Sequence, residues 1–341
     1  MANFFPRESG YWQARVRRKG WPSQSKTFAK KSEAEAWARS VEAEMDRGAF
    51  VSAAPAERTL LKDVIKTFRT DFAPHHYRGG AWMHKLDRLE ARLGEYSLAA
   101  LTPERVSWYR DERLKDPDPR YKDAKAAPRI SPATVKTEID MLSKVMDVAG
   151  KEMRIRIPMG NPVRDVRKPV SAPPRERRLT AEEANALLEA CGKSLNAWLR
   201  PAVQLAIETA MRQGELLSLT WTNVDIEKRV AYLAITKNGT SRAVPLSSRA
   251  IAVLAGLPKD IKGRVIPVEK QTLHSAFKTA CSRANLEDFR WHDLRHESLS
   301  RLAERGDLSV LELSAISGHK TLRLVQMYVQ LHASQLAAKL G

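Results

Sequence analysis

Arg290-Trp-His292-Asp-Leu-Arg295-His296, then Ser317-Gly318-His319, then Met327-Tyr328-Val329, is the stretch that the rest of the chain serves. Arginine, histidine and tyrosine are spread there over two helices and a loop, with no carboxylate pair or thiol cluster as an alternative reactive centre. Arginine and histidine both suit a phosphate. His292 stands at the start of a helix that runs through Leu294, Ser298 and Leu302 and is ended by Gly306. His292 and Arg295 share a face, and helix N-termini attract anions, so both groups converge on a phosphate. His292 and His296 could hold zinc, but the HExxH glutamate is absent and Arg295 between them repels a dication. His319 follows Gly318 in a loop. Tyr328 lies in a short helix one turn after Leu324, a position where a lone tyrosine is usually core.

Working back from this stretch, Thr180-Ala-Glu-Glu183 is a capping box opening one helix, and a second helical pattern runs from Ala197 to Thr209. In Thr209-Ala-Met-Arg212-Gln-Gly-Glu215-Leu216, the glycine and the change of apolar phase place Arg212 at a tight bend. An arginine there can point into a cleft as a fork of donors, but on this motif alone a surface ion pair with a nearby carboxylate is the stronger reading. Val230–Ile235 and Ser241–Leu246 are strand-like runs joined through Thr236-Lys237-Asn238-Gly239-Thr240, and Asn-Gly supplies the positive φ angles of a hairpin turn. Lys237 sits near the tip, where an ammonium beside a phosphate can act as a general acid. A further helix spans Leu273 to Ala284.

The 341 residues suggest two or three domains at roughly 100–200 residues each. Lys and Arg total 58 against 40 Asp and Glu, a net charge of +18, which favours a polyanionic partner, nucleic acid by default. No window approaches the ~20 apolar residues of a membrane span, and no signal-peptide core is visible, so a soluble cytoplasmic protein with no membrane partner is expected. Cys191 and Cys281 lie in helical apolar patterns and are expected to be buried, reduced thiols.

At the N-terminus, Tyr11 to Arg18 alternates, with Trp12, Ala14 and Val16 on one side, and Lys19-Gly20 turns the chain into a returning strand at Ser25–Phe28. Ser32-Glu-Ala-Glu35 has the pattern of a capping box opening a helix that Gly48 ends. Up to Lys31 this piece holds eight basic residues and one acid. Arg15, Arg17, Arg18, Lys19 and Lys26 are therefore candidate DNA contacts on one positive face that suits a major groove. Val51 to Arg58 is expected to be a linker. Four amphipathic helices follow, over Thr59–Phe72, Ala81–Leu93, Pro103–Lys115 and Pro132–Ala149. Thr102-Pro103 and Ser131-Pro132 mark two starts, and Gly94 and Gly150 are placed as stops. Asp116–Ile130 is a long loop, and Arg164–Arg178 an extended basic linker.

In conjunction, Ala210-Met-Arg212-Gln-Gly-Glu215, Lys237 with Ser241-Arg-Ala-Val-Pro-Leu246, His292-Asp-Leu-Arg295-His296, Gly318-His319 and Tyr328 resemble the tyrosine recombinase (phage integrase) family. Ala210 stands where that family usually has glycine, and Ser317 where it usually has leucine. The resemblance implies a multi-domain, mainly α protein. Residues 1–50 would form an arm-type DNA-binding domain of β-sheet plus helix, 57–168 a helical core-binding domain, and 175–341 a mixed α+β catalytic domain with a small antiparallel sheet.

It also implies roles. Tyr328 attacks a DNA phosphate to form a 3′-phosphotyrosyl bond, with Arg212 and Arg295 clamping the non-bridging oxygens in place of a metal ion. Lys237 protonates the departing 5′ oxygen, His292 assists with the nucleophile's proton, His319 hydrogen-bonds the phosphate and Glu215 supports the loop around Arg212. No metal, ATP or other cofactor is expected. The implied partners are double-stranded DNA at core and arm-type sites, a homotetramer on that DNA, and accessory bending or directionality proteins. The tail after Tyr328 is expected to dock on a neighbouring protomer. Competing readings are a type IB topoisomerase, a non-catalytic architectural DNA-binding protein, and a metal-dependent nuclease using His292, His296 and His319.

Overall fold

The chain divides into two units, Met1–Pro173 and Pro174–Gly341. The structure is a computed structural model that describes residues 2–48, 54–173, 175, 177–233, 241–259, 263–319, 321, 322, 325 and 328. The fold is mainly helical with two small antiparallel sheets, as expected.

In the first unit, strands β1 (Ala2–Pro6), β2 (Trp12–Val16) and β3 (Gln24–Phe28) pair in the order β1-β2-β3. The alternation along β2 buries Ala14 and Val16, and Val16 shares a small core with Ala38, Val41 and Met45 of helix α1 (Lys31–Asp46). Strand β1 escapes sequence reading because Phe4-Phe5-Pro6 does not alternate; pairing with β2, Asn3 opposite Arg15, defines it. The expected capping box at Ser32 is corrected. Only Ala29 and Lys30 separate β3 from α1, so the helix starts at Lys31 with an extended Lys30 and no side-chain cap, and Ser32 is already in the first turn.

Residues 51–53 lie outside the described set, but the rest of the expected linker is helical: α2 (Ala54–Arg58) buries Ala56, whose carbonyl accepts the Ala99 N–H at 3.0 Å. Helix α3 (Leu61–Thr67) continues through a π-helical turn, Phe68–Phe72, into α4 (Ala73–His76). With α5 (Ala81–Leu93), α6 (Pro103–Lys115) and α7 (Pro132–Lys151) it encloses a second core containing Ile65, Leu86, Leu89, Leu93, Ile139 and Leu142. Each such side chain contributes about 1.5–3 kcal/mol on full burial. The caps read from sequence are present: Thr102 accepts from Arg105 N and Ser131 from Thr134 N. Gly150 does not stop α7; helical geometry continues to Lys151, and Met153 N–H bonds back to Val148 O at 3.2 Å. One buried carboxylate, Glu138, accepts from Tyr109 Oη at 2.9 Å and from Arg113 Nε at 3.0 Å. The long loop after α6 is closed by a β-bridge between Pro117 and Arg129.

The second unit opens on the expected capping box, in which Glu183 N donates to Thr180 Oγ1 at 3.2 Å and Thr180 N to Glu183 Oε2 at 3.0 Å. Helices α8 (Ala181–Gly192) and α9 (Leu199–Thr209) are followed by the short α10 (Gln213–Ser218). Strands β4 (Val224–Asp225), β5 (Val230–Leu233) and β6 (Arg242–Pro245) form the second sheet. Then come α11 (Ser248–Ala255), α12 (Lys270–Arg283), α13 (Trp291–Glu304) and α14 (Val310–Ser317). Helix α9 packs against α8, α11 and α13, which makes it the axis of a core including Leu187, Val203, Val244, Leu254, Leu273 and Leu294. Cys191 and Cys281 are free thiols in that core, and burial pushes them up to about 12 and about 11.

The boundary between the two units, at Pro173–Pro174, falls inside the expected basic linker. Val163 and Val166 are buried in the helical core of the first unit. Arg175, Arg177 and Arg178 are neutralised within the second by Asp288 and Asp293, by Glu183, and by Glu304.

Candidate active site

The site grows from the end of α9. Ala210 is left-handed, φ 51 and ψ 21, which ends the helix and turns Arg212 into extended backbone ahead of α10. Glu215, in the first turn of α10, is 6% exposed and accepts from Arg212 N at 2.9 Å, Arg212 Nη1 at 2.7 Å and Arg242 Nη2 at 2.6 Å. Burial alone would raise its pKa, but these donors outweigh it and hold the carboxyl below its ordinary value. Arg212 is therefore ion-paired, with a buried rather than a surface carboxylate, and its Nη2 also reaches across to Gly318 O at 3.3 Å.

Arg295 lies one helical turn into α13 and is 3% exposed. Its Nη1 donates to Ala210 O, its Nη2 donates to Ser317 O at 2.6 Å, and Nη2 also faces His319 Nε2 at 3.2 Å. One guanidinium thus ties the α9 terminus to the turn after α14. Burial first, then the neighbouring Arg212 and Arg242, push its pKa down to about 10, so it stays charged at neutral pH. Asp293, beside it, is occupied in capping, accepting Arg290 N at 2.9 Å.

The turn itself requires glycine. Gly318 has φ +68, and a Cβ there would stand 2.8 Å from Arg242 Cδ. Arg242 Nη1 donates to Ile316 O in the same turn. Ser317, fully buried, places its Oγ 2.9 Å from His319 Nδ1. Arginine can only donate, so His319 Nε2 is the acceptor facing Arg295, and Nδ1 carries the proton towards Ser317. Burial, followed by Arg295 and Arg212, pushes His319 down to about 4, and it is neutral.

His292 stands edge-on to His296, ring centroids 5.0 Å apart, and burial lowers the pKa of both. Tyr328 Oη is hydrogen-bonded to His296 Nδ1, with the two rings 5.7 Å apart. Burial raises the tyrosine pKa, partly offset by Arg295.

Hydrogen bonds therefore join Arg212 to Glu215 and Arg295 to His319, both arginines donate to the Ser317–Gly318 backbone, and Tyr328 is bonded to His296. Lys237 and the tail after Tyr328 lie outside the described residues. Sequence reasoning missed Arg242, Ser317 and, as a partner of the tyrosine, His296. The i, i+4 spacing of His292 and His296 was a usable signal, although it pointed first to zinc. Among the described residues no group of three or more His, Cys, Asp or Glu could hold a metal ion, and no helix is long and apolar enough to cross a membrane. Chemically, the site offers guanidinium donors, neutral imidazoles and a phenol, a set suited to a phosphodiester.

The N-terminal candidates do not share one face. Arg15 is on the open side of the sheet, over the Phe5 ring at 5.7 Å. Lys26 pairs in register with Ala14 and so falls on the α1 side, over Phe28 at 5.9 Å. Arg18 pairs with Asp46 beyond the strand end, and Arg17 and the exposed Lys19 lie in the turn. The single positive face is thus replaced by charge around one end of the sheet.

Residues 177–335 match the phage integrase family. The shufflon-specific DNA recombinase of Escherichia coli is 40% identical over 239 residues, covering 69% of this chain and 59% of that protein. A Haemophilus influenzae protein assigned as an integrase/recombinase is 32% identical over 339 residues, covering 92% of this chain and 83% of its own length. Lambda integrase has a similar fold in two solved structures. As a dimer bound to a COC′ core site it has TM-score 0.62 and 22% identity, covering 96% of this chain and 94% of that one. As a tetramer bound to a Holliday junction it has TM-score 0.60 and 23% identity, covering 94% and 96%. By the arrangement of its basic site and by these similarities, the chain belongs to the phage integrase family of tyrosine recombinases.

Proposed function

We propose that the chain is a site-specific DNA strand transferase working through a 3′-phosphotyrosyl intermediate at Tyr328, without metal or ATP. The observation that carries this reading is the convergence of Arg212, Arg295 and His319 on the turn at Ser317–His319, with Tyr328 held in the same unit by His296. The two guanidiniums clamp the non-bridging oxygens and neutralise charge developing at phosphorus, an effect worth about 2.7–4 kcal/mol per donor in preorganised sites. His319 hydrogen-bonds the phosphate, His292 assists proton movement, and Lys237 protonates the 5′ leaving oxygen. Glu215 fixes the clamp. Attack on the phosphotyrosine by another strand's 5′ hydroxyl completes exchange, and two rounds recombine duplexes.

Residues 1–50, 57–168 and 175–341 are assigned to arm-type DNA binding, core-site binding and catalysis. Arg15, Arg17, Arg18, Lys19 and Lys26 serve the first. Assembly as a homotetramer on DNA follows the lambda integrase likeness. Similarity to a shufflon-specific recombinase favours inversion over integration as the outcome. The workplace would be the bacterial cytoplasm, at the nucleoid.

The test uses wild-type protein and Tyr328→Phe, with chelator present, on nicked duplexes selected for tight binding from a randomised pool. A denaturant-resistant protein–DNA adduct with wild type alone is expected. Adduct with neither protein, on a duplex that both bind, overturns the catalytic reading.

A further inference from the structure

We propose that His296 is the catalytic base for Tyr328, receiving its hydroxyl proton at Nδ1 as the tyrosine attacks; this rests on the phosphotyrosyl reading above. The tyrosine hydroxyl is hydrogen-bonded to His296 Nδ1, and the rings are tilted 35° with centroids 5.7 Å apart. Transfer to Nδ1 requires that nitrogen to be unprotonated, with the His296 proton on Nε2. His292, the histidine that the family resemblance assigns to proton assistance, makes no hydrogen bond to Tyr328 among the described residues; its ring lies edge-on to His296.

The surroundings make the transfer conditional on DNA. Burial first, and then Arg295 and Arg175, oppose a positive charge on His296, while Asp293 favours one. A phosphodiester seated on Arg212 and Arg295 brings at least one negative charge and gains another as the pentacovalent state forms. Its arrival offsets the guanidiniums at the moment the imidazole must accept a proton. In the DNA-free protein burial keeps the phenol protonated.

The step balances. The Oη–H bond breaks and its proton passes to Nδ1, while the Oη–P bond forms and the P–O5′ bond breaks. The leaving oxygen takes a proton from a separate acid, assigned above to Lys237. In the return step the incoming 5′ hydroxyl restores that proton, and the His296 imidazolium gives its own back to Oη.

The experiment measures single-turnover adduct formation by the full chain on the selected nicked duplex, with DNA binding followed separately. His296→Asn retains an oxygen acceptor near the Nδ1 position but cannot hold the proton. It is expected to bind DNA within about twofold of wild type and to cleave ~10²–10⁴-fold more slowly. His296→Gly should be equally slow and recover about tenfold or more with added imidazole. The defect should persist on a duplex whose 5′ leaving oxygen is replaced by sulfur, which relieves the need for an acid. Cleavage by either variant within about threefold of wild type overturns the proposal, as does faster cleavage, which would make His296 only a tether. A slow Gly variant that imidazole does not rescue, or a defect that disappears with the sulfur substrate, also overturns it. Absence of adduct with wild type instead defeats the phosphotyrosyl reading itself, and the proposal with it.

Discussion

Replacing Glu215 by Gln should cost this protein about 3–5 kcal/mol. The carboxylate meets the Arg212 and Arg242 guanidiniums at 2.7 and 2.6 Å, and the Glu215 and Arg242 side chains are only 6% and 8% exposed. With charge centres about 4 Å apart and an effective dielectric near 20, each pair contributes about 4 kcal/mol, about 8 for two. Desolvation of the carboxylate offsets several kcal/mol of that, but the glutamine variant leaves Arg242 buried beside Arg212 and Arg295 with no anion, and breaking a buried pair costs about 3–5 kcal/mol. Because the chain has two units, a single unfolding midpoint is the wrong readout. Hydrogen exchange by mass spectrometry through a urea series should show the loss in peptides spanning α9, α10 and α14, with the α5–α7 peptides unchanged. Inorganic sulfate should restore part of the lost protection by supplying an anion to the same guanidiniums. A loss below about 1 kcal/mol in the second unit would refute the view that Glu215 neutralises the cluster.

Ala210→Gly should be nearly neutral: relief of left-handed strain, about 1 kcal/mol, is offset by greater unfolded-state freedom and loss of a buried methyl. Ala210→Val should destabilise by ~2 kcal/mol or more in the same exchange assay. Ser317→Ala should cost about 1–2 kcal/mol and release His319 from the Nδ1–H tautomer; unchanged histidine ¹⁵N shifts would contradict the assigned network. His292, His296 and His319 all have folded pKa values below the ordinary histidine value, His319 at about 4. The unfolded chain therefore binds these protons more tightly, so their contribution is complete above about pH 6.5 and is lost as pH falls towards 4. Urea series at stepped pH should show second-unit stability falling over that window, and His319→Gln should flatten part of the slope.

Local chemistry made much of the fold legible. Thr102, Ser131 and Thr180 cap helices because a hydroxyl before a first turn satisfies N–H groups only three residues away. The same reasoning failed at Ser32, where a two-residue connection from β3 set the helix start, and at Gly150, where packing of α7 overrode a weak stop. Lys26 was put on the wrong side because alternation gives parity within a strand, and only the register, Ala14 opposite Lys26, relates one strand's parity to the next. Arg212 at its bend and Arg295 on its helix stood out from local pattern as candidate site residues. Arg242 did not, since nothing in Arg-Ala-Val-Pro distinguishes an arginine turned inward to Glu215 from a solvated one.

The sequence by itself determined the helical periods, the caps, the basic balance and the set of residue types fit for phosphate chemistry, because each depends on neighbours a few positions apart or on composition. Only the tertiary structure decided that Arg295 meets Ala210 and Arg212 meets Gly318, across 85 and 106 residues of chain. It also decided that Tyr328 rests on His296 and that Ser317 holds His319. Those contacts follow from how α9 and α13 pack around a shared apolar core and how α14 lies against α13 and β6, and no local pattern encodes the outcome of that packing.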